Sequence, residues 1–88
     1  MECLFINKAE FNGNLSRWQV GRVTNMRSMF NNATSFNGDL SGWDVGQVTQ
    51  MAAMFNGATS FNRQLGGSWS ASTASQVQMF NGSGGSIA

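Results

Sequence analysis

A period of 25 residues constrains the fold of this chain more than any other feature. When residues 11–35 are aligned without gaps to residues 36–60, 17 of the 25 positions are identical. The identical positions are mainly apolar and small turn residues, whereas the varying positions are polar, as at Asn14 and Asp39. Such a pattern is typical of adjacent units that share a core and leave one surface free. The period predicts a structural ladder of Phe11, Phe36, Phe61, Trp18, Trp43, Met29, Met54, Met79, Phe30, Phe55 and Phe80.

The same period predicts one domain over residues 1–82. It divides this domain into a half repeat at 1–10, repeats at 11–35 and 36–60, and a degenerate repeat at 61–82. The middle of the degenerate repeat is rich in Gly, Ser and Ala, and its tryptophan, Trp69, comes one residue late. Residues 83–88 show no pattern, so we expect a frayed tail.

The residue pattern of each full unit predicts one helix and one strand. From Met26, and again from Met51, apolar residues recur at i, i+3, i+4 and i+7, which predicts helices over 24–31 and 49–56. Asn32 and Gly57 follow as residues that tolerate a left-handed cap. Residues 15–20 and 40–45 are bounded by turn residues and predict short strands. The predicted fold class is therefore an α/β repeat, a short strand–helix solenoid of the leucine-rich-repeat type with a 25-residue period.

One long motif carries a family resemblance. The string FNGDLSGWDVGQVTQMAAMF at residues 36–55 resembles the repeat of BspA-like leucine-rich-repeat surface proteins, also described as a mycoplasma-lipoprotein-type domain of unknown function. Residues 11–30 match that repeat almost as well, while residues 66–82 match it weakly. The resemblance implies a strand–helix solenoid in a secreted or cell-surface protein.

The resemblance also implies a function without catalysis. It suggests a repeat segment of a surface protein that binds proteins or is adhesive, with a protein or glycan on a host or neighbouring cell as partner. The alternative is a stand-alone small protein, or a fragment of a longer array, without an evolved ligand. An extracellular or cell-surface location rests on the resemblance alone. The apolar stretch among the first residues of this sequence is shorter than the apolar region of a signal peptide.

Chemistry at a dedicated site finds little support. The chain has no His, one Cys and four carboxylates. Asp39 and Asp44 lie five residues apart, but their counterparts one period earlier are Asn14 and Gln19. General acid–base catalysis usually needs a His or a carboxylate with a shifted pKa. A row of calcium sites would need acidic residues repeated in every unit. We therefore expect no enzyme activity and no catalytic, cofactor-binding or metal-binding residues.

Nucleic acids and membranes are also poor candidates as partners. The net charge is +1, and only 10% of the residues are charged, against roughly 25% in ordinary soluble domains. A nucleic-acid footprint needs a cluster of positive charge. No apolar stretch reaches the roughly 18 residues that span a bilayer. We expect no nucleic-acid binding and no membrane insertion.

If a ligand binds, the variable polar positions should contact it. The hypothesis places the binding face at Arg17, Gln19, Gly42 and Asp44, because these positions differ between the two full units. Neither end of the repeated region carries an obvious polar cap. Uncapped ends expose apolar surface, so end-to-end self-association of the chain is a second expectation.

Overall fold

The computed structural model describes residues 2–88, and Met1 of the predicted half repeat lies outside them. Within these residues the elements are strand β1 at Gln64–Leu65, helix α1 at Ser68–Ala71 and strand β2 at Ser86–Ile87. The two strands pair in parallel, with Gln64 opposite Ser86 and Leu65 opposite Ile87. Isolated parallel bridges join Asn25 to Gln50 and Gln50 to Ser75.

The predicted strand–helix solenoid is wrong. In the described part of the chain, four residues are helical, and each strand is two residues long. The principal extents are 28 × 26 × 22 Å, so the molecule is compact and not elongated. Residues 15–20 and 40–45, for which the sequence predicts strands, form turns and irregular backbone outside any strand.

The predicted helices are absent because the backbone takes positive φ angles inside them. Ser28 and Ala53 each have a φ of 57°. Asn32 and Gly57, the predicted caps, have φ angles of 59° and 73°. A left-handed residue in mid-segment ends the i to i−4 bonding on which an α-helix depends. Residues 24–31 and 49–56 therefore form successive turns.

Backbone hydrogen bonds join four turn segments, which we define as residues 2–7, 26–32, 51–57 and 76–82. The N–H of Ser28 donates to the carbonyl oxygen of Ala52 at 3.0 Å, and that of Ala53 donates to Val77 at 2.8 Å. In each pair, the N–H of one segment meets a carbonyl of the segment that follows in the chain. These bonds satisfy backbone groups that a helix would have satisfied internally.

Rows of phenylalanine rings fill the interior beside the turn segments. Phe30 stacks on Phe55 at 5.4 Å between ring centroids, and Phe55 stacks on Phe80 at 5.5 Å. A second row brings Phe36 to 6.0 Å from Phe61. Parallel, offset rings are a favourable aromatic arrangement. Met29 and Met54 are fully buried beside these rows, and no buried polar residue occurs among residues 2–88.

Two buried tryptophans tie the remaining loops to this core. The Nε1–H of Trp43 donates to the carbonyl oxygen of Leu15 at 2.8 Å, and that of Trp69 donates to Leu40 at 2.9 Å. Residues 83–88, for which the sequence predicts a frayed tail, are hydrogen-bonded along 61–65. The N–H of Ala88, for example, donates to Leu65 at 2.9 Å.

Candidate functional site

A groove of about 270 Å³ lies between two loops that are adjacent in space. Its lining comprises Trp18, Gln19, Val20, Gly21, Gly42 and Asp44. We call it the 18–44 groove. It contains a large exposed aromatic side chain, an amide and a carboxylate, which are groups that can contact a ligand.

Buried anchors on either side hold the first loop in place. Leu15 and Val20 are 4% and 2% exposed, so the loop between them is fixed at both ends. The N–H of Trp18 donates to the carbonyl of Leu15 at 3.0 Å and closes a turn. The side chains of Trp18 and Gln19 project from this turn and are exposed. Apolar burial of the flanking residues therefore presents polar and aromatic groups at the tip.

The second loop has the same turn and an additional brace. The N–H of Trp43 donates to Leu40 at 3.0 Å. The hydroxyl of Ser68 donates to the carbonyl of Trp43 at 2.9 Å and accepts the N–H of Val45 at 3.1 Å. Both backbone groups flanking Asp44 are thus fixed, which restricts where its carboxylate can lie.

Trp18 differs from its counterpart Trp43 in exposure. Trp43 is 2% exposed, whereas Trp18 is 40% exposed. The indole of Trp18 lies against the ring of Phe5, with centroids 5.8 Å apart and planes tilted by 44°. Its Nε1–H makes no hydrogen bond to residues 2–88. An exposed indole donor that has no acceptor among the described residues can hydrogen-bond to a partner.

Asp44 supplies the charge of the groove. Its Oδ1 accepts the N–H of Gly46 at 3.0 Å, which fixes the rotamer of the carboxylate. A Cβ built on Gly21 would lie 3.6 Å from Oδ2, so this second oxygen faces the first loop across the groove. Among the groove-lining residues of the described chain, Asp44 is the one with a charged side chain.

Three of the four predicted binding-face residues line this groove. Gln19, Gly42 and Asp44 come together there, while exposed Arg17 is not part of the lining. Variation between the two full units selects these positions. It does not select Trp18, which is identical to Trp43 in sequence and belongs to the predicted structural ladder. Only the three-dimensional surroundings distinguish the two tryptophans.

A second hollow, of about 360 Å³, is polar and separate from the groove. It is lined by residues at 12–14, 16 and 37–39. Asn12 Oδ1 accepts the N–H of Asn37, and Asn37 Oδ1 accepts the N–H of Asn62, both at 2.9 Å. These amide oxygens are therefore used to join loops.

Asp39 lies in this second hollow, apart from Asp44. The backbone N–H and the hydroxyl of Ser41 hydrogen-bond its carboxylate and hold the pKa of Asp39 below its ordinary value of 3.8, and Arg63 adds a favourable charge. Hydrogen bonds to the ionised form lower the pKa of a carboxyl group in this way. The two aspartates line different hollows and so form no joint site there.

No group of three or more His, Cys, Asp or Glu side chains able to hold a metal ion occurs in residues 2–88. In that same stretch, no helix has the length and apolar character needed to cross a membrane.

Comparison with known proteins gives one match. A family model described as "Mycoplasma protein of unknown function, DUF285" matches residues 1–86. The search of curated proteins gives no match, and neither does the search of solved structures.

Proposed function

This chain belongs to that mycoplasma family of unknown function, and from this premise we propose that it is a non-catalytic, protein-binding segment of a surface protein of the BspA-like kind. Its partner is a polypeptide with an exposed Lys or Arg side chain. The 18–44 groove receives that side chain.

The exposed indole of Trp18 is the observation that carries the proposal. Large apolar side chains on a monomer are mostly buried, and exposed tryptophans are enriched among residues that dominate binding energy at interfaces. Trp18 is 40% exposed while Trp43 and Trp69 are 2% and 0% exposed. The groove beside it offers a partner both apolar surface and hydrogen-bonding groups.

The chemistry of the groove favours a basic side chain. A Lys ammonium or Arg guanidinium is attracted to the face of an indole, and this interaction contributes about 0.5–1 kcal/mol at exposed sites. Asp44 adds a carboxylate whose orientation is fixed by Gly46. Gln19 can donate to or accept from the backbone of a bound peptide. A neutral sugar would use the indole and the amide but would gain less from the carboxylate.

A random peptide library displayed on phage, selected on the immobilised 88-residue chain, tests the proposal. We expect enrichment of Lys- or Arg-containing peptides. Fluorescence anisotropy of one enriched peptide should then show at least about threefold weaker binding to Asp44→Asn and to Trp18→Ala, equivalent to about 0.7 kcal/mol.

Asp39→Asn is the matched control. Asp39 and Asp44 are both exposed, and each accepts the N–H of the residue two positions on at 3.0 Å. The control should bind the peptide like the unmodified chain. The proposal would be overturned if Asp39→Asn and Asp44→Asn weakened peptide binding equally. It would also be overturned if neither Asp44→Asn nor Trp18→Ala weakened it. A glycan array read in parallel gives the other contrary result, namely binding to neutral sugars that depends on Trp18 but not on Asp44.

A further inference from the structure

The last turn segment, residues 76–82, presents a row of backbone N–H groups without partners in the described chain. In the preceding segment, the N–H groups of Ala53, Phe55 and Gly57 donate to carbonyls of the last segment at 2.8 Å. The corresponding N–H groups one period later donate to no backbone or side-chain acceptor in residues 2–88. They belong to Gln78, Phe80 and Gly82.

The first turn segment, residues 2–7, presents the complementary row of carbonyl groups. In the second segment, the carbonyls of Arg27, Met29 and Asn31 accept N–H groups of the first segment at 2.8–3.0 Å. The corresponding carbonyls one period earlier accept no hydrogen bond from residues 2–88. They belong to Glu2, Leu4 and Ile6.

We propose that a second copy of this chain pairs its first turn segment with the last turn segment of the first copy, head to tail. Unpaired backbone rows at an edge are templates for pairing with another chain. Here the N–H row carries partial positive charge and the carbonyl row partial negative charge. The internal pairs Ser28 to Ala52 and Phe30 to Met54 already show how the two kinds of row fit.

Applied between copies, the internal register makes a definite set of bonds. Phe80 of one copy donates to Leu4 of the other, in the same relation as Phe30 to Met54. Gly82 donates to Ile6, as Asn32 donates to Asn56. Gln78 donates to Glu2.

Apolar side chains at the two ends supply surface for the same contact. Leu4 is 46% exposed, although its counterparts Met29 and Met54 are 0% exposed. Phe5 and Phe80 are the half-buried ends of the first ring row, in which successive centroids are 5.3–5.5 Å apart. Head-to-tail pairing would continue that row across the contact and cover Leu4.

The contact joins two different surfaces, so it does not close on itself as a two-fold dimer. The pair keeps one free carbonyl row, on the copy that donates, and one free N–H row, on the copy that accepts. Association of this kind continues into longer assemblies unless a rotation closes it into a ring. We therefore expect the mean mass to rise with concentration without a plateau at the dimer.

Sedimentation velocity with two complementary variants tests the geometry. Leu4→Glu blocks the carbonyl end and Phe80→Glu blocks the N–H end. Each variant alone should associate at least about tenfold more weakly than the unmodified chain, and their equimolar mixture should form a one-to-one dimer that grows no further. A reductant is present throughout, because Cys3 is exposed and would otherwise cross-link copies.

Amide hydrogen exchange on the unmodified chain gives a second measurement, which does not depend on whether a variant folds. The amides of Gln78, Phe80 and Gly82 should exchange at least about tenfold more slowly in concentrated than in dilute solution. Those of Ala53, Phe55 and Gly57 should change little, because they are already bonded within one copy.

Three results would overturn the proposal. They are a concentration-independent monomer, self-association of Phe80→Glu that is as strong as that of the unmodified chain, and exchange at residues 78–82 that does not depend on concentration. The proposal stands apart from the function of the 18–44 groove. Leu4→Glu does not alter the groove lining, so peptide binding by that variant distinguishes failure of one proposal from failure of the other.

Discussion

Replacing Trp43 with Phe tests how the loops are tied to the core. The indole of Trp43 is 2% exposed, and its Nε1–H donates to the carbonyl oxygen of Leu15 at 2.8 Å. Phenylalanine keeps an aromatic ring but removes this donor and part of the ring volume. The carbonyl of Leu15 then keeps the N–H of Trp18 as a partner, at 3.0 Å, and loses one of its two hydrogen bonds.

The expected loss follows from two contributions. The loss of one hydrogen bond, at a carbonyl that keeps another, costs about 0.5–1.5 kcal/mol. The cavity left by the smaller ring adds about 1 kcal/mol, at the low end of large-to-small core substitutions. Trp43→Phe should therefore lower the free energy of unfolding by about 1.5–2.5 kcal/mol. In a domain of this size, each kcal/mol shifts the midpoint of thermal unfolding by roughly 4–8 °C.

Trp18→Phe provides a matched control in the same turn one period earlier. Trp18 is 40% exposed, and its indole donates to no acceptor in residues 2–88, so its replacement should change stability by less than about 0.5 kcal/mol. Urea unfolding followed by circular dichroism at one temperature measures both variants. Equal losses for Trp43→Phe and Trp18→Phe would show that the buried hydrogen bond does not hold the loop.

Three further perturbations test the turns. Gly57→Ala should lower the free energy of unfolding by more than about 1 kcal/mol. The φ of Gly57 is +73°, and a Cβ at this position would overlap an amide oxygen of the neighbouring segment. Gly42→Ala, with open space around it, should change stability by less than about 0.5 kcal/mol, as thermal melts would show. Ala53→Gly should raise the free energy of unfolding by about 0.5 kcal/mol, because Ala53 has a φ of 57°. Ala52→Gly should lower it by a similar amount. If urea unfolding shows a loss of stability in both variants, the backbone at Ala53 is not strained. Asp39→Asn should destabilise the chain at neutral pH, because the pKa of Asp39 is lowered in the folded state; the difference from the unmodified chain should persist above pH 3.8 and shrink as the pH falls below it, and a difference independent of pH in melts would contradict this.

The sequence indicates which side chains meet, but not the backbone that brings them together. Apolar residues at i, i+3 and i+4 from Met26 are buried side by side, as the spacing requires of any backbone that turns every three to four residues. An α-helix satisfies that spacing, and so do successive turns. The choice depends on the φ angles of Ser28 and Ala53, residue types that rarely take positive φ and therefore give no signal in the sequence.

The candidate site could also be predicted only in part from the sequence. Variation between units identifies Gln19 and Asp44, because surface positions can change without loss of packing. It cannot identify Trp18, since burial of a periodic residue depends on what lies beyond it in space. Trp43 is covered by the loop that contains Leu15, and in the described chain no loop covers Trp18 in that way. Identical residues at equivalent positions thus differ in exposure because their surroundings differ, and this difference makes Trp18, and not Trp43, a candidate for contact with a partner.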